Sequence, residues 1–238
     1  EDNRWPRMAA IAERFWSPGI VRDVNDMYRR LAAVSIQLED LGLRHESMAP
    51  VMLRRIAGTH SIVPLAVLAS VVEPVKGYQR GRVRPATQFT PLTRLVDAAR
   101  PDSMVALLLR LGVDELLGDA PRFRIQRQEL ANAFQQFRDI RPAIDRLIDE
   151  APVLQEAAPL AADLSGLGAL GIEALSYLTS GIAPTAEWRD VALARIDQAA
   201  RPRADVELAI ILPMRKLVVA AAELGQLAEL GPRAWAAR

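Results

Sequence analysis

Apolar residues recur at helical spacing along most of the chain. From residue 24 they lie three or four positions apart, the spacing of one face of an α-helix, and the pattern stops at Gly42, a residue type that commonly ends helices. These residues are Val24, Met27, Leu31, Val34, Leu38 and Leu41. An earlier helix is predicted from Trp5 to Trp16, because Pro6 occupies a permitted first-turn position and residues 17–19, Ser-Pro-Gly, follow as a terminator.

The next part of the chain carries a less regular pattern. Residues 49–72 contain short apolar runs interrupted by Pro50, Gly58 and Pro64, which predicts two short helices. Residues 73–91 show neither the helical nor the strand period and are rich in glycine and proline. They predict a long surface loop, a feature that in compact domains is usually functional or a linker.

Helical patterns return after residue 91. One helix is predicted over residues 92–99, and a second is predicted to be capped by Asp102, to reach Leu117 and to be closed by Gly118. A longer helix is predicted over residues 122–150. It contains Pro142, which lacks the backbone donor and clashes one turn back, so a kink or a break is expected near Ile140.

The last third of the chain predicts further helices joined by short connections. The leucine pattern from residue 160 to 178 predicts a helix that ends at Gly181 and contains three internal glycines, which would let another helix approach closely. These are Gly166, Gly168 and Gly171. Helices are also predicted over residues 186–200 and 203–224, with a short one reaching Arg238. No strand or fixed repeat is predicted, and short connections favour antiparallel neighbours, as in a bundle.

Composition narrows the classes of function. Half of the 238 residues are hydrophobic and a quarter are charged, as in a folded chain rather than a disordered one. Thirty basic residues against 29 acidic ones leave no excess to neutralise phosphates, so no nucleic-acid partner is expected. The absence of cysteine and the presence of only two histidines predict no disulfide, no metal site and no cofactor. The longest uncharged stretch, residues 56–72, contains glycine, histidine and proline, and no membrane span is predicted.

The most distinctive stretch is residues 5–18, which read WPRMAAIAERFWSP. It resembles the segment near the end of the catalytic barrel in glycoside hydrolase family 20, the β-N-acetylhexosaminidases. Residues 27–43 are similar to the helix that follows the barrel in that family. Residues 72–74 and 91–103 look like the C-terminal extension of some bacterial members. The resemblance covers about residues 4–45 and extends less specifically to about residue 118.

The resemblance implies a (β/α)8 barrel that lies mostly upstream of this chain. In the family, a Glu protonates the departing glycosidic oxygen, and a neighbouring Asp orients the acetamido group of the substrate, whose carbonyl oxygen is the nucleophile. This Asp-Glu pair is expected outside the chain. Because the chain starts at Glu1 without an initiator methionine, we expect a truncation. The sequence leaves the cellular location open; a periplasmic or extracellular parent is compatible with the resemblance.

The fold class expected is mainly α, with the last helices of a (β/α)8 barrel followed by an antiparallel, bundle-like helical region. Residues 1–48 are expected to complete the barrel. Residues 49–119 are expected to form a transition region that contains the loop 73–91. Residues 120–238 are expected to form a helical C-terminal domain.

Adjacent carboxylates occur at three places in the sequence, and a carboxyl group of this kind could serve as a general acid. The catalytic pair of the family follows a strand and a glycine-rich approach, whereas these pairs lie in helical sequence. General-acid work also needs a raised pKa in a water-poor pocket. We therefore predict solvated helix-surface charges and assign no catalytic residue. The pairs are Glu39-Asp40, Asp114-Glu115 and Asp149-Glu150.

Residues 5–16 contain further candidates, each with more than one interpretation. Glu13 and Arg14 could form an ion pair, or contact a neighbouring barrel element, or be ordinary helix-surface charges. Trp5 and Trp16 could stack on a sugar, or pack the last barrel helix against the barrel.

The two histidines, His45 and His60, have no partners at metal-ligand spacing and are predicted to lie in loops without a chemical role, although His60 could titrate near neutral pH. A basic and aromatic cluster lies in the loop 73–91. It could bind a sugar, a phosphate or another domain, or could be a solvated loop. It consists of Tyr78, Arg80, Arg82 and Arg84.

Two functions follow from these observations. The first is the C-terminal part of a β-N-acetylhexosaminidase, itself structural and non-catalytic, with the upstream barrel as partner and glycans bound only by the intact parent. The alternative is an independent helical module that binds a protein or glycan. A helical enzyme would need a catalytic constellation, and none can be assembled from the sequence. Without a barrel, the apolar face of the first helix should drive self-association; its residues are Met8, Ile11, Phe15 and Trp16.

Overall fold

Helices make up most of the residues that the computed structural model describes, namely 5–77, 87–118 and 123–230. The mainly α prediction is therefore confirmed. The helices are α1 (Trp5–Trp16), α2 (Val24–Asp40), α3 (Met48–Ala57), α4 (Val63–Ser70), α5 (Leu95–Ala98), α6 (Met104–Gly118), α7 (Phe123–Arg138), α8 (Arg141–Glu150), α9 (Ala158–Ser180), α10 (Ala186–Ala199) and α11 (Ile211–Leu230). A 3₁₀ helix, Pro152–Ala157, leads into α9.

Local chemistry explains where several helices begin and end. The carboxylate of Asp23 accepts hydrogen bonds from the backbone N–H groups of Asn25 and Asp26, at 2.9 and 3.0 Å, and so caps α2. Helices α3 and α9 end at Gly58 and Gly181, both in the left-handed region with φ of +66° and +69°. The two short helices predicted over residues 49–72 are present as α3 and α4.

The capping residue of α6 differs from the prediction. Ser103, not Asp102, caps this helix, because its hydroxyl oxygen accepts the backbone N–H of Ala106 at 2.9 Å. Asp102 instead binds the side chain of Arg7. The helix predicted over residues 92–99 is also shorter and begins only at Leu95.

A small antiparallel sheet is present where a loop and a helix were predicted. Strand β1 (Val72–Pro74) pairs with β2 (Val206–Leu208), with Val72 opposite Leu208. The prediction of a helix from residue 203 is therefore wrong, and α11 begins at Ile211. The physical reason is a turn before β2, in which Ala204 and Asp205 adopt φ of +52° and +62°, values that a right-handed helix does not allow.

Other parts of the predicted loop and of the C-terminus cannot be compared with the prediction. The loop 73–91 begins with residues of β1, and its residues 78–86 lie outside the described part of the chain. The short helix predicted to reach Arg238 falls partly beyond residue 230, the last one described.

Helix α9 is central to the helical region. It packs against α7, α8, α10 and α11. The predicted break at Pro142 is confirmed, since α7 ends at Arg138 and α8 begins at Arg141. The predicted close approach through glycine is also observed: a Cβ placed on Gly168 would lie 2.6 Å from the carbonyl oxygen of Phe134, and one on Gly171 would lie 2.6 Å from the ring of Phe134.

Buried side chains on both sides of residue 119 belong to one hydrophobic cluster that runs from Met52 to Ala221. Its largest fully buried members include Phe134, Phe137, Leu65, Leu68, Leu95, Ile144, Leu160, Leu164 and Leu167. The division of the chain near residues 48 and 119, and the placement of α1 at the end of a barrel, stay predictions.

A partly buried ion cluster joins three distant segments at the edge of this core. The guanidinium of Arg94 binds Glu156 at 2.6 Å and also pairs with Asp205, and the three side chains are 17, 23 and 14% exposed. Glu156 additionally accepts the backbone N–H of Leu95 at 3.1 Å. Burial by itself lowers the pKa of Arg94, but the hydrogen bonds to Glu156 and Asp205 outweigh burial and raise that pKa. The cluster connects α5, the 3₁₀ helix and the turn before β2.

Among the described helices, the segment Pro152–Ser180 is long and apolar enough to cross a membrane, with a mean hydropathy of 1.2. Half of that apolar window is buried inside the protein. Its buried residues, such as Leu164 and Leu167, pack in the hydrophobic cluster. The segment therefore shows the burial expected of a core helix, and length and composition alone are weak grounds for a membrane span.

Candidate functional site on the N-terminal helices

Helix α1 presents an apolar face to solvent. Phe15 and Trp16 are 84 and 90% exposed, and Met8 and Ile11 are about half exposed. Ile20, in the turn after the helix, is also exposed. We call the residues Met8, Ile11, Phe15, Trp16 and Ile20 the α1 face. Monomeric proteins rarely expose contiguous apolar surface of this kind outside interaction sites.

The polar residues of α1 have partners that the sequence did not indicate. Glu13 and Arg14 do not pair with each other: Glu13 forms an ion pair with Arg30 of α2, and Arg14 donates to the backbone oxygen of Val21 at 2.6 Å. The hydrogen bond from Arg30 lowers the pKa of Glu13. These contacts hold α1 and α2 together beside a groove of 510 Å³.

A second connection joins α1 to the helical region. Arg7 donates from Nε to Asp102 at 2.7 Å and from Nη2 to the backbone oxygen of Pro101 at 2.8 Å. The hydrogen bond to Asp102 raises the pKa of Arg7. Asp102, which was predicted to cap α6, therefore holds α1 against the start of α6 instead.

The three adjacent carboxylate pairs occupy different environments. Asp114 binds Lys216 at 2.7 Å, and Glu115 accepts a hydrogen bond from Gln126. Both members of the pair at residues 149–150 are exposed. Asp40 is exposed as well, whereas Glu39 accepts the backbone N–H of Glu46 at 2.6 Å. That backbone hydrogen bond lowers the pKa of Glu39.

The structure brings His45 together with two residues of α2. The Nε2 atom of His45 lies 3.0 Å from the hydroxyl oxygen of Ser35, and its Nδ1 atom lies 3.6 Å from a carboxylate oxygen of Glu39. His45 lies in the loop between α2 and α3, as predicted, and its side chain is only 5% exposed. His60 is exposed.

Sequence analysis missed this Ser35, Glu39 and His45 cluster, although a signal was present. Ser35 and Glu39 are four residues apart in α2 and therefore lie on one helix face. His45 follows shortly after the helix ends, within reach of that face. A short-range search for hydroxyl, imidazole and carboxylate groups would have found the three residues.

The remaining candidates are the two tryptophans of α1, the basic and aromatic cluster, and a metal site. The side chain of Trp5 and the cluster at residues 78–84 lie outside the described side chains. Within the described part of the chain, no group of three or more acidic or histidine residues is arranged to hold a metal ion. A stacking role for Trp16 stays a prediction, although its exposure leaves its ring open to contact.

The chain is similar to a solved structure, the crystal structure of a family 20 chitobiase from Flavobacterium johnsoniae. The two are 32% identical with a TM-score of 0.76, and the match covers 91% of this chain and 32% of the chitobiase. The chain resembles a portion of that enzyme. It spans about a third of the chitobiase chain. No protein-family model matches the chain, and a search of curated proteins finds no match.

Proposed function

We propose that this chain is the C-terminal portion of a family 20 β-N-acetylhexosaminidase, which in its intact form hydrolyses terminal N-acetylhexosamine from glycans. The observation that carries the proposal is the match to a chitobiase over 91% of this chain at 32% identity. The family pattern in residues 5–18 supports it independently. The portion itself is structural, and the catalytic Asp-Glu pair belongs to the upstream barrel.

The α1 face supports an upstream partner. Phe15 and Trp16 are almost fully exposed, while the opposite side of α1 is fixed by the contacts of Glu13 and Arg7. A helix held in place on one side with aromatic side chains open on the other fits the last helix of a barrel that packs against its neighbours. In this proposal, the upstream barrel covers the α1 face.

The helical region would then support the end of the barrel. Arg7 and Asp102 join α1 to the start of α6, and α6 packs against α7 and α11. Movement of α1 would therefore be resisted by the hydrophobic cluster through a short chain of contacts. The substrate would be bound by the intact parent and not by this portion alone.

An independent helical module that binds a protein or glycan is the second candidate. Its support is the hydrophobic cluster from Met52 to Ala221, in which none of the buried side chains that the structure describes comes from α1 or α2. Such a module would need no upstream barrel.

The reading frame upstream of Glu1 separates the two candidates. In the genomic DNA, we expect an open frame that continues into alternating strands and helices and contains a Gly-Asp-Glu motif. The isolated chain should give no turnover of p-nitrophenyl N-acetylglucosaminide, because the general acid is missing. A stop codon shortly before this segment, or turnover comparable to an intact enzyme, would contradict the proposal.

Self-association tests the α1 face directly. The double substitution Phe15→Glu and Trp16→Glu should shift the isolated chain from oligomers to monomer in sedimentation velocity, because two charges remove the apolar contact area. The matched control is Val191→Glu in α10, which also changes an exposed apolar residue. A wild-type chain that sediments as a clean monomer would show that the α1 face does not drive association.

A further inference from the structure

In the Ser35, Glu39 and His45 cluster, the imidazole lies between a hydroxyl and a carboxylate, which is the arrangement found in nucleophilic hydrolases. The hydroxyl of Ser35 is within hydrogen-bond distance of Nε2 of His45, at 3.0 Å. The other ring nitrogen, Nδ1, faces Glu39 at 3.6 Å and has no hydrogen-bond partner among the described residues. A nucleophile, a base and a carboxylate whose charge faces the base, at a distance longer than a hydrogen bond, therefore lie in sequence.

The carboxylate is held in an ionised and oriented form. One oxygen of Glu39 accepts the backbone N–H groups of Glu46 and Ser47, at 2.6 and 3.3 Å. The hydrogen bond from Glu46 is the main reason that the pKa of Glu39 is lowered. A fixed negative charge facing Nδ1 favours the tautomer with the proton on that atom. Nε2 is then left to accept the proton of Ser35.

The hydroxyl side of the cluster opens to a groove. Ser35 and His45 both line a groove of 400 Å³ between α2 and residues 100–104. The groove is largely apolar, with Tyr28, Leu31 and Ile36 in its wall. Its size is within the range of small-molecule sites. An ester with a short acyl group could place its carbonyl carbon near Ser35 there.

We propose that Ser35, His45 and Glu39 form a second site that hydrolyses short-chain carboxylic esters. The Ser35 oxygen attacks the ester carbonyl carbon while Nε2 of His45 takes the hydroxyl proton, giving a tetrahedral oxyanion. The oxyanion collapses, the ester C–O bond breaks, and the alcohol leaves with the proton from His45. Water then attacks the acyl-serine carbonyl and gives one proton to His45. The acyl C–O bond to Ser35 breaks, His45 returns that proton to the Ser35 oxygen, and the carboxylic acid leaves.

Two ion pairs lie in the wall of the groove. Arg100 and Arg7 both line it, and each is paired with a carboxylate, Glu46 and Asp102 respectively. Glu39 does not contact the ester and is a positioning residue, which acts on His45 through the negative charge that faces Nδ1.

The first test is covalent labelling of the wild-type chain with a fluorophosphonate, followed by peptide mass spectrometry. We expect the added phosphonate on Ser35. Modification elsewhere only, or no modification, overturns the proposal. This measurement uses no variant, so it stays decisive even if a substitution disturbs folding.

The second test is hydrolysis of p-nitrophenyl acetate. Ser35→Ala should reduce the rate to that of buffer, and His45→Gln should reduce it by about 100-fold or more. Glu39→Gln should lower kcat while leaving KM unchanged. The matched control is Ser176→Ala, an exposed serine in α9 that should keep the wild-type rate. A Ser35→Ala chain with the wild-type rate overturns the proposal. Neither test uses a glycoside, so failure here leaves the proposed β-N-acetylhexosaminidase origin unaffected.

Discussion

Replacing Gly168 with alanine is expected to lower the free energy of unfolding by about 3 kcal/mol. The new methyl group would lie 2.6 Å from the carbonyl oxygen of Phe134 and close to the backbone nitrogen of Arg138. Both are backbone atoms of α7, so the clash can be relieved only if α7 and α9 move apart. That movement would also strain the hydrogen bond at 2.6 Å from the hydroxyl of Ser165 to the carbonyl oxygen of Arg138. Urea denaturation followed by circular dichroism measures the change.

The control for this substitution lies two residues earlier in the same helix. A methyl group on Gly166 would meet only the flexible side chain of Arg195, at 3.5 Å, an ordinary contact distance. Alanine is favoured over glycine within a helix by about 1 kcal/mol, so Gly166→Ala should leave stability unchanged or increase it. Equal stability of the two variants would show that the close contact of α7 and α9 is not required.

Replacing Arg94 with methionine is expected to cost about 3 kcal/mol of stability. Glu156 and Asp205 would lose the cation between them while they stay largely buried, with side chains 23 and 14% exposed. The loss of this shared cation at the edge of the core would favour unfolding of α5 and of the turn before β2. The loss should be visible as a lower denaturation midpoint in urea.

An exposed ion pair provides the comparison for Arg94. Arg141 and Asp145 in α8 are 3.6 Å apart and have side chains 58 and 52% exposed. Arg141→Met should therefore change stability by less than about 0.5 kcal/mol. If Arg94→Met is as mild as this control, the cluster makes no net contribution to stability.

Local patterns predicted much of the helical region. Pro142 marked the break between α7 and α8 because its chemistry acts on the adjacent turn. The glycines of α9 indicated a close helix contact because glycine has no side chain and so lets the backbone of a neighbouring helix come near. Both signals are contained within a few residues, and in both cases the structure shows the expected feature.

The features that the sequence did not predict depend on distant residues. Strands of three residues such as β1 and β2 are too short to show an alternating period, and the turn at Ala204 and Asp205 is fixed by the pairing with Arg94 and β1. Asp102 resembled a helix cap because Asp is a common capping residue, but a partner in α1, Arg7, determines its contact. The contacts of His45 differ from these, because Ser35 and Glu39 lie within ten residues of it and a short-range search would have found them.

The pairing of β1 with β2 joins two parts of the chain that are far apart in the sequence. Val71 accepts the backbone N–H of Ala209 at 2.9 Å, and Val75 donates to the backbone oxygen of Asp205 at 3.0 Å, so the chain leaves this point after α4 and returns to it before α11. The segment from α5 to α10 therefore forms one long loop whose two ends are joined by the β1–β2 pairing. Most contacts in this fold are local helical contacts, whereas the paired residues of β1 and β2 are far apart in the sequence. Forming this three-residue pairing therefore costs the conformational entropy of closing a very long loop.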